Sequence, residues 1–162
     1  MSGRILVAGV GNVFFGDDGF GPAVAQRLRE AQLPPDVDVA EFGIRGIHLA
    51  YELLEAPAVL IVADAVPRGG APGTLYVLEP ELDAEPAQAD AHGMDLRSVF
   101  AAVLAMGGTL PRIRIVGCEP ASVAPGIGLS APVANAVDEA ARLVRDLLQE
   151  ELAPRGAMES RP

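Results

Sequence analysis

The chain has 162 residues, half of them apolar, with a formal charge of −10 and a pI near 4.5. That balance argues against nucleic acid and anionic membrane as partners and against disorder along the whole length. All 12 basic residues are arginines and Cys118 is the one cysteine. Lysine-based chemistry, a disulfide framework and a multi-cysteine metal site are therefore excluded, and a reducing compartment is expected.

A chain of this length is expected to form one domain that buries roughly 70% of its unfolded surface. Residues 4–10 read as a buried strand that runs into Gly9-Val10-Gly11. A dinucleotide-binding fingerprint starts this way but needs a third glycine at position 14. Phe14 stands there, and Asp17 and Asp18 follow where a bound phosphate would be repelled. Residues 22–29 read as a helix, with Pro22 suited to the first turn. Val37–Phe42 alternates as a strand, Ile47–Leu54 follows as a helix, and residues 59–63 form a fully apolar strand. Residues 74–78 read as a shorter strand, and 79–90, acidic and rich in Ala and Pro, as a mobile loop. Apolar spacing predicts a helix over 94–106, a strand over 113–116 and a long amphipathic helix over Ala131–Leu152. The tail, 154–162, lacks periodicity and is expected to fray.

Strands alternating with helices predict an α/β fold: a single-domain three-layer sandwich over residues 1–153, with a mixed, mostly parallel sheet and helices on both faces. The link over 67–73 is too short for a helical crossover, so the strand at 74–78 is expected to run antiparallel to the one before it. No apolar run is long enough to span a bilayer, and the N-terminus lacks a signal-peptide layout. The cytoplasm is the expected location.

Ligands of open α/β sheets bind at the carboxyl ends of the parallel strands. Asn12, Asp17 and Asp18 follow the first strand, Gly43 and Arg45 the second, Asp64 the third, and Cys118 and Glu119 the last. His92 precedes the helix at 94–106, where the helix dipole favours a neutral, metal-ligating imidazole. A turn-capping role suits Asp64 and a helix-start role suits Asp18 as well as a functional one. His48 reads as surface or the lip of a site, and Cys118 as a small buried thiol. Two carboxylates and a histidine can hold a borderline divalent ion such as nickel or zinc with positions left open.

Four stretches, "GVGNVFFGDDGFGP", "LIVADAV" followed by "APGTLYVLEP", "AHGMDL" and "RIVGCEPASVAPGIGLSAPV", come in the order seen in the hydrogenase maturation endopeptidases. The chain resembles that family over nearly its whole length. The resemblance implies an endopeptidase that trims the C-terminal tail of a [NiFe] hydrogenase large-subunit precursor. It implies nickel ligation by Asp18, Asp64 and His92, with Asp18 and Asp64 as catalytic candidates. The metal is expected to come with the substrate, without an organic cofactor, and the protein to be a monomer. Whether the metal polarises the scissile carbonyl or a carboxylate activates water stays open. Many members carry a DGG-T/S stretch after the second strand. Here "EFGIRGIHL" keeps Gly43 and has Arg45 and His48 in place of small polar residues; Gly43 and Arg45 are the expected substrate contacts. The alternative readings are a non-catalytic nucleotide-binding or regulatory module using Gly9, Gly11 and Glu41, and a same-fold relative that processes another protein.

Overall fold

Two segments are apolar enough to be buried on both faces, and they form the middle of the sheet. Strand β1, Ile5–Val10, is buried at every position, and β3, Val59–Ala65, at its first five. The computed structural model describes residues 3–43, 47–80 and 96–153. The other strands are β2, Val37–Phe42, β4, Leu75–Leu78, and β5, Arg112–Cys118. Helices α1, Phe20–Arg29, α2, Ile47–Leu54, α3, Leu96–Ala105, and α4, Ala131–Leu152, complete the described elements.

The sheet order is β2-β1-β3-β5-β4, parallel except for the β4–β5 pair. Side-chain alternation along the strands divides the core in two. Ile5, Val7, Ile61 and Val116 pack beneath Phe20, Val24 and Leu28 of α1 and Val137, Val144 and Leu148 of α4. Leu6, Ala8, Leu60 and Val62 pack beneath Leu49 and Leu53 of α2 and Val99 and Val103 of α3. The three-layer sandwich expected from the sequence is therefore present, with α1 and α4 on one face and α2 and α3 on the other.

Several element ends shift by a residue or two from the sequence reading, and some details go beyond it. β4 runs opposite to β3 as expected, but it is not its neighbour: β5 lies between them and pairs with both. The connection arches over the end of β5, where Val66 N–H donates to Cys118 O at 2.9 Å and Gly73 N–H to Glu119 O at 2.8 Å. A short link constrains direction; it does not stop a later strand from entering between. β3 also continues past Ala63, so Asp64 is still paired, opposite Gly117. Helix α1 begins at Phe20, two positions before Pro22. The expected loop over 79–90 from position 81, the first two positions of the helix expected over 94–106 and the tail from 154 lie outside the described residues.

The absent third glycine of the fingerprint has a counterpart at Gly21. A Cβ there would lie 2.3 Å from Val10 O and 2.4 Å from Ala63 O, and one on Gly9 would lie 2.3 Å from Gly21 O. Close approach of α1 to the sheet is thus achieved by a glycine in the helix itself, which leaves position 14 free for a side chain.

Candidate active site

β1 connects to β2 on one side and has β3 on the other, so the crevice between the carboxyl ends of β1 and β3 is the switch point of the sheet. A cavity of about 150 Å³ opens there, lined by Gly11 and Asn12 after β1, Asp64 and Ala65 of β3, and Asp18. Asp18 and Asp64 are thus brought together from positions far apart in the chain. Gly43 lines the same cavity and the adjoining one, which Phe14 and the exposed His48 also border. Arg45 and His92 lie outside the described residues. Among the described residues no three His, Cys, Asp or Glu side chains form a metal-binding cluster.

The two adjacent aspartates do different work because a 3-10 turn over Gly16–Gly19 turns them apart. Asp18 Oδ2 accepts the Asn12 N–H at 2.8 Å. A donor of the glycine turn, which in a nucleotide-binding loop would be free for a phosphate, is taken by a carboxylate of the chain itself. Glu41, the candidate ribose acid, is ion-paired with Arg29.

Asp17 is 1% exposed and holds the segment that follows β5. Its Oδ1 accepts from Ser130 N at 2.7 Å, and its Oδ2 from Ala121 N at 2.8 Å, Ser122 N at 3.2 Å and Ser130 Oγ at 2.8 Å. Burial pushes its pKa up, but the donors from Ser130, Ala121 and Ser122 outweigh it and hold the carboxyl below its ordinary value. The clamped segment brings Pro120 and Val123 to the cavity wall.

Glu119 does the same for the loop after β3. Its Oε1 accepts from Arg68 N at 2.9 Å, Gly70 N at 3.1 Å and Tyr76 Oη at 2.7 Å. The Tyr76 hydroxyl, followed by the Arg68 N–H, lowers its pKa. This pairing escaped sequence reasoning; the available signal was an acidic residue directly after a buried strand, as at Asp64. Cys118 is fully buried, and burial, with the charges of Asp17 and Glu119, pushes its thiol up to about 11. A thiol that stays protonated at neutral pH is a packing group and no nucleophile.

A family model described as hydrogenase maturation protease matches residues 22–147. The chain belongs to the hydrogenase maturation proteases. It is 38% identical to the hydrogenase expression/formation protein HupD of Rhodobacter capsulatus, over 89% of this chain and 71% of that protein. It is 30% identical to the hydrogenase 2 maturation protease of Escherichia coli K12, over 96% of this chain and 98% of that protein. The structure of the hydrogenase maturating endopeptidase HybD from E. coli superposes with a TM-score of 0.80 at 29% identity, covering 92% of this chain and 94% of that one. The protein is thus a peptidase of hydrogenase maturation, and a maturation protease's substrate is a polypeptide, not a nucleotide. Among the described residues no helix is long and apolar enough to cross a membrane.

Proposed function

We propose that this protease removes the C-terminal extension of a [NiFe] hydrogenase large-subunit precursor after nickel insertion, and that the nickel arrives as part of the substrate. The observation that carries the reading is the meeting of Asp18 and Asp64 in one cavity at the switch point of the sheet. Asp18, Asp64 and His92 are the proposed metal contacts. Two carboxylates and one imidazole suit a borderline divalent ion, and they form an incomplete cage where a closed site takes four protein ligands. Affinity for the ion then depends on ligands supplied by the precursor.

Water is the nucleophile in this proposal, and a cavity carboxylate takes its proton, an aspartyl-type peptidase chemistry. Gly43 and Arg45 contact the polypeptide near the cut. Val13 and Phe14, 44% and 57% exposed, border the adjoining cavity and offer apolar surface to a polypeptide. The protein acts as a cytoplasmic monomer without an organic cofactor.

The test is incubation with nickel-loaded and nickel-free precursor, with binding measured by pull-down and cleavage by mass. The loaded form should be cut and the empty form left intact, with about 150-fold weaker binding of the empty form corresponding to ~3 kcal/mol. Cleavage of the nickel-free form at a comparable rate would exclude metal-dependent recognition and favour an ordinary carboxylate peptidase.

A further inference from the structure

Among the described residues, the side chains that line the cavity of Asp18 and Asp64 offer few hydrogen-bond donors. Its described lining consists of glycine, proline and aliphatic residues, the two aspartates and Asn12. Asn12 is therefore the one described side chain there with an N–H to give. Peptide hydrolysis builds negative charge on the carbonyl oxygen, and a hydrogen-bond donor placed where that charge develops stabilises it.

The asparagine is set up for this role. It is 9% exposed, and its Oδ1 accepts the Phe14 N–H at 2.9 Å. That bond decides the orientation of the carboxamide, because the reversed amide would set its NH2 against another donor. Its backbone is held as well: Asn12 N–H donates to Asp18 Oδ2 at 2.8 Å, and Asn12 O accepts from Phe15 N at 3.1 Å. Among the described residues no group accepts a hydrogen bond from Nδ2. A cavity-lining amide pinned at its oxygen, whose nitrogen no described residue engages, is a preorganised donor that needs no rearrangement when charge develops.

We propose that Asn12 is a further catalytic residue, whose Nδ2 donates to the scissile carbonyl oxygen as it becomes an oxyanion. This rests on the peptidase reading above. In the step, the water oxygen bonds to the carbonyl carbon while its proton passes to a cavity carboxylate and the C=O π pair moves onto the oxygen. Collapse re-forms the C=O bond and breaks the C–N bond, and the leaving amine recovers the proton.

The test compares wild type, Asn12→Asp and Asn12→Ala on nickel-loaded precursor, with thermal unfolding of each. Asn12→Asp keeps an acceptor for the Phe14 N–H and removes the donor; Asn12→Ala removes the donor without adding charge. Both folded variants should lose ~10²- to 10³-fold in kcat with KM within about threefold. A folded variant with near-wild-type kcat, or a loss confined to KM, overturns the assignment. A measurement on wild type guards against variants that fail to fold. Asn12 and Asn135 are the two asparagines of the chain, so selective ¹⁵N labelling resolves their carboxamides. Nickel-loaded precursor carrying a phosphinate in place of the scissile amide, at a concentration that saturates binding by pull-down, should shift the Asn12 Nδ2 signals and leave those of Asn135, and an unmoved Asn12 in that complex refutes the contact. If wild type itself leaves the loaded precursor uncut, the proposed function fails and this inference falls with it; an active wild type with an equally active folded variant refutes the inference alone.

Discussion

Replacing Asp17 by asparagine should lower the thermal unfolding midpoint by about 6–12 °C while leaving the chemistry of the neighbouring cavity in place. The carboxylate takes one donor at Oδ1 and three at Oδ2, three of the four being backbone N–H groups. An asparagine has one oxygen. With that oxygen toward the three-donor side, its NH2 faces the Ser130 N–H, and a buried donor left unsatisfied costs about 1–3 kcal/mol. The three retained bonds lose their charge assistance, worth about 1 kcal/mol more in total. The opposite orientation abandons three donors and is worse. A loss of ~3 kcal/mol is a large part of a total of roughly 5–15 kcal/mol, so the variant remains folded at 25 °C. It also loses a pH dependence. Asp17 has a depressed pKa in the folded state, so its contribution is complete above the unfolded value of about 3.9 and disappears as pH falls through the folded value. The gap between wild type and variant should be constant from neutral pH to about pH 5 and should narrow below about pH 4. Thermal unfolding followed by circular dichroism at several pH values reads both effects. A midpoint change under about 2 °C at pH 7, or a gap that widens on acidification, would show that the Asp17 carboxylate does not hold this segment.

Asp18→Asn and Asp64→Asn should each lower processing of nickel-loaded precursor by at least ~10³-fold, with midpoints within a few degrees of wild type; equal turnover losses at positions 17 and 18 in folded proteins would discard the division of roles. Gly21→Ala should destabilise by at least ~1–3 kcal/mol in urea unfolding, because the new methyl meets Val10 O at 2.3 Å and Ala63 O at 2.4 Å. Cys118 should resist alkylation by iodoacetamide at pH 8 in the folded protein and react once unfolded, as its thiol is pushed up to about 11 and is fully buried. Cys118→Ala should keep full turnover, and its loss would return the thiol to the mechanism.

Local pattern carried much of the fold. Helix α4 has the bounds that its apolar spacing predicts, Ala131–Leu152, and α2 and β2 likewise match, because 3.6- and 2-residue periods record which face of an element is buried. The two wholly apolar runs became β1 and β3, since a short run rich in Val, Ile and Leu suits a strand covered on both faces. Asp18 and Asp64 were legible as well, as acidic residues at carboxyl ends of apolar strands, where the order of elements brings ligands.

Pairing across the chain was decided by the tertiary structure. Nothing in residues 67–73 says that β5 enters between β3 and β4, since strand order is set by which apolar faces come together once α3 has carried the chain back. The family resemblance assigned the site to Asp18, but the residues of the pair Asp17-Asp18 do not themselves say which aspartate faces the cavity. Their roles separate because the donors for Asp17 come from positions 121, 122 and 130, while Asp18 is held from position 12 within its own loop. Asn12 stood among the residues after the first strand, but its use depends on an acceptor fixed by Phe14 and on a cavity built from four strand ends. Which segments are buried and which strand ends carry charge could be read along the chain, because burial follows each segment's own side chains. Which carboxylate is clamped and which is left to the cavity was decided only when distant backbone N–H groups arrived, because a buried carboxylate takes the role its donors impose.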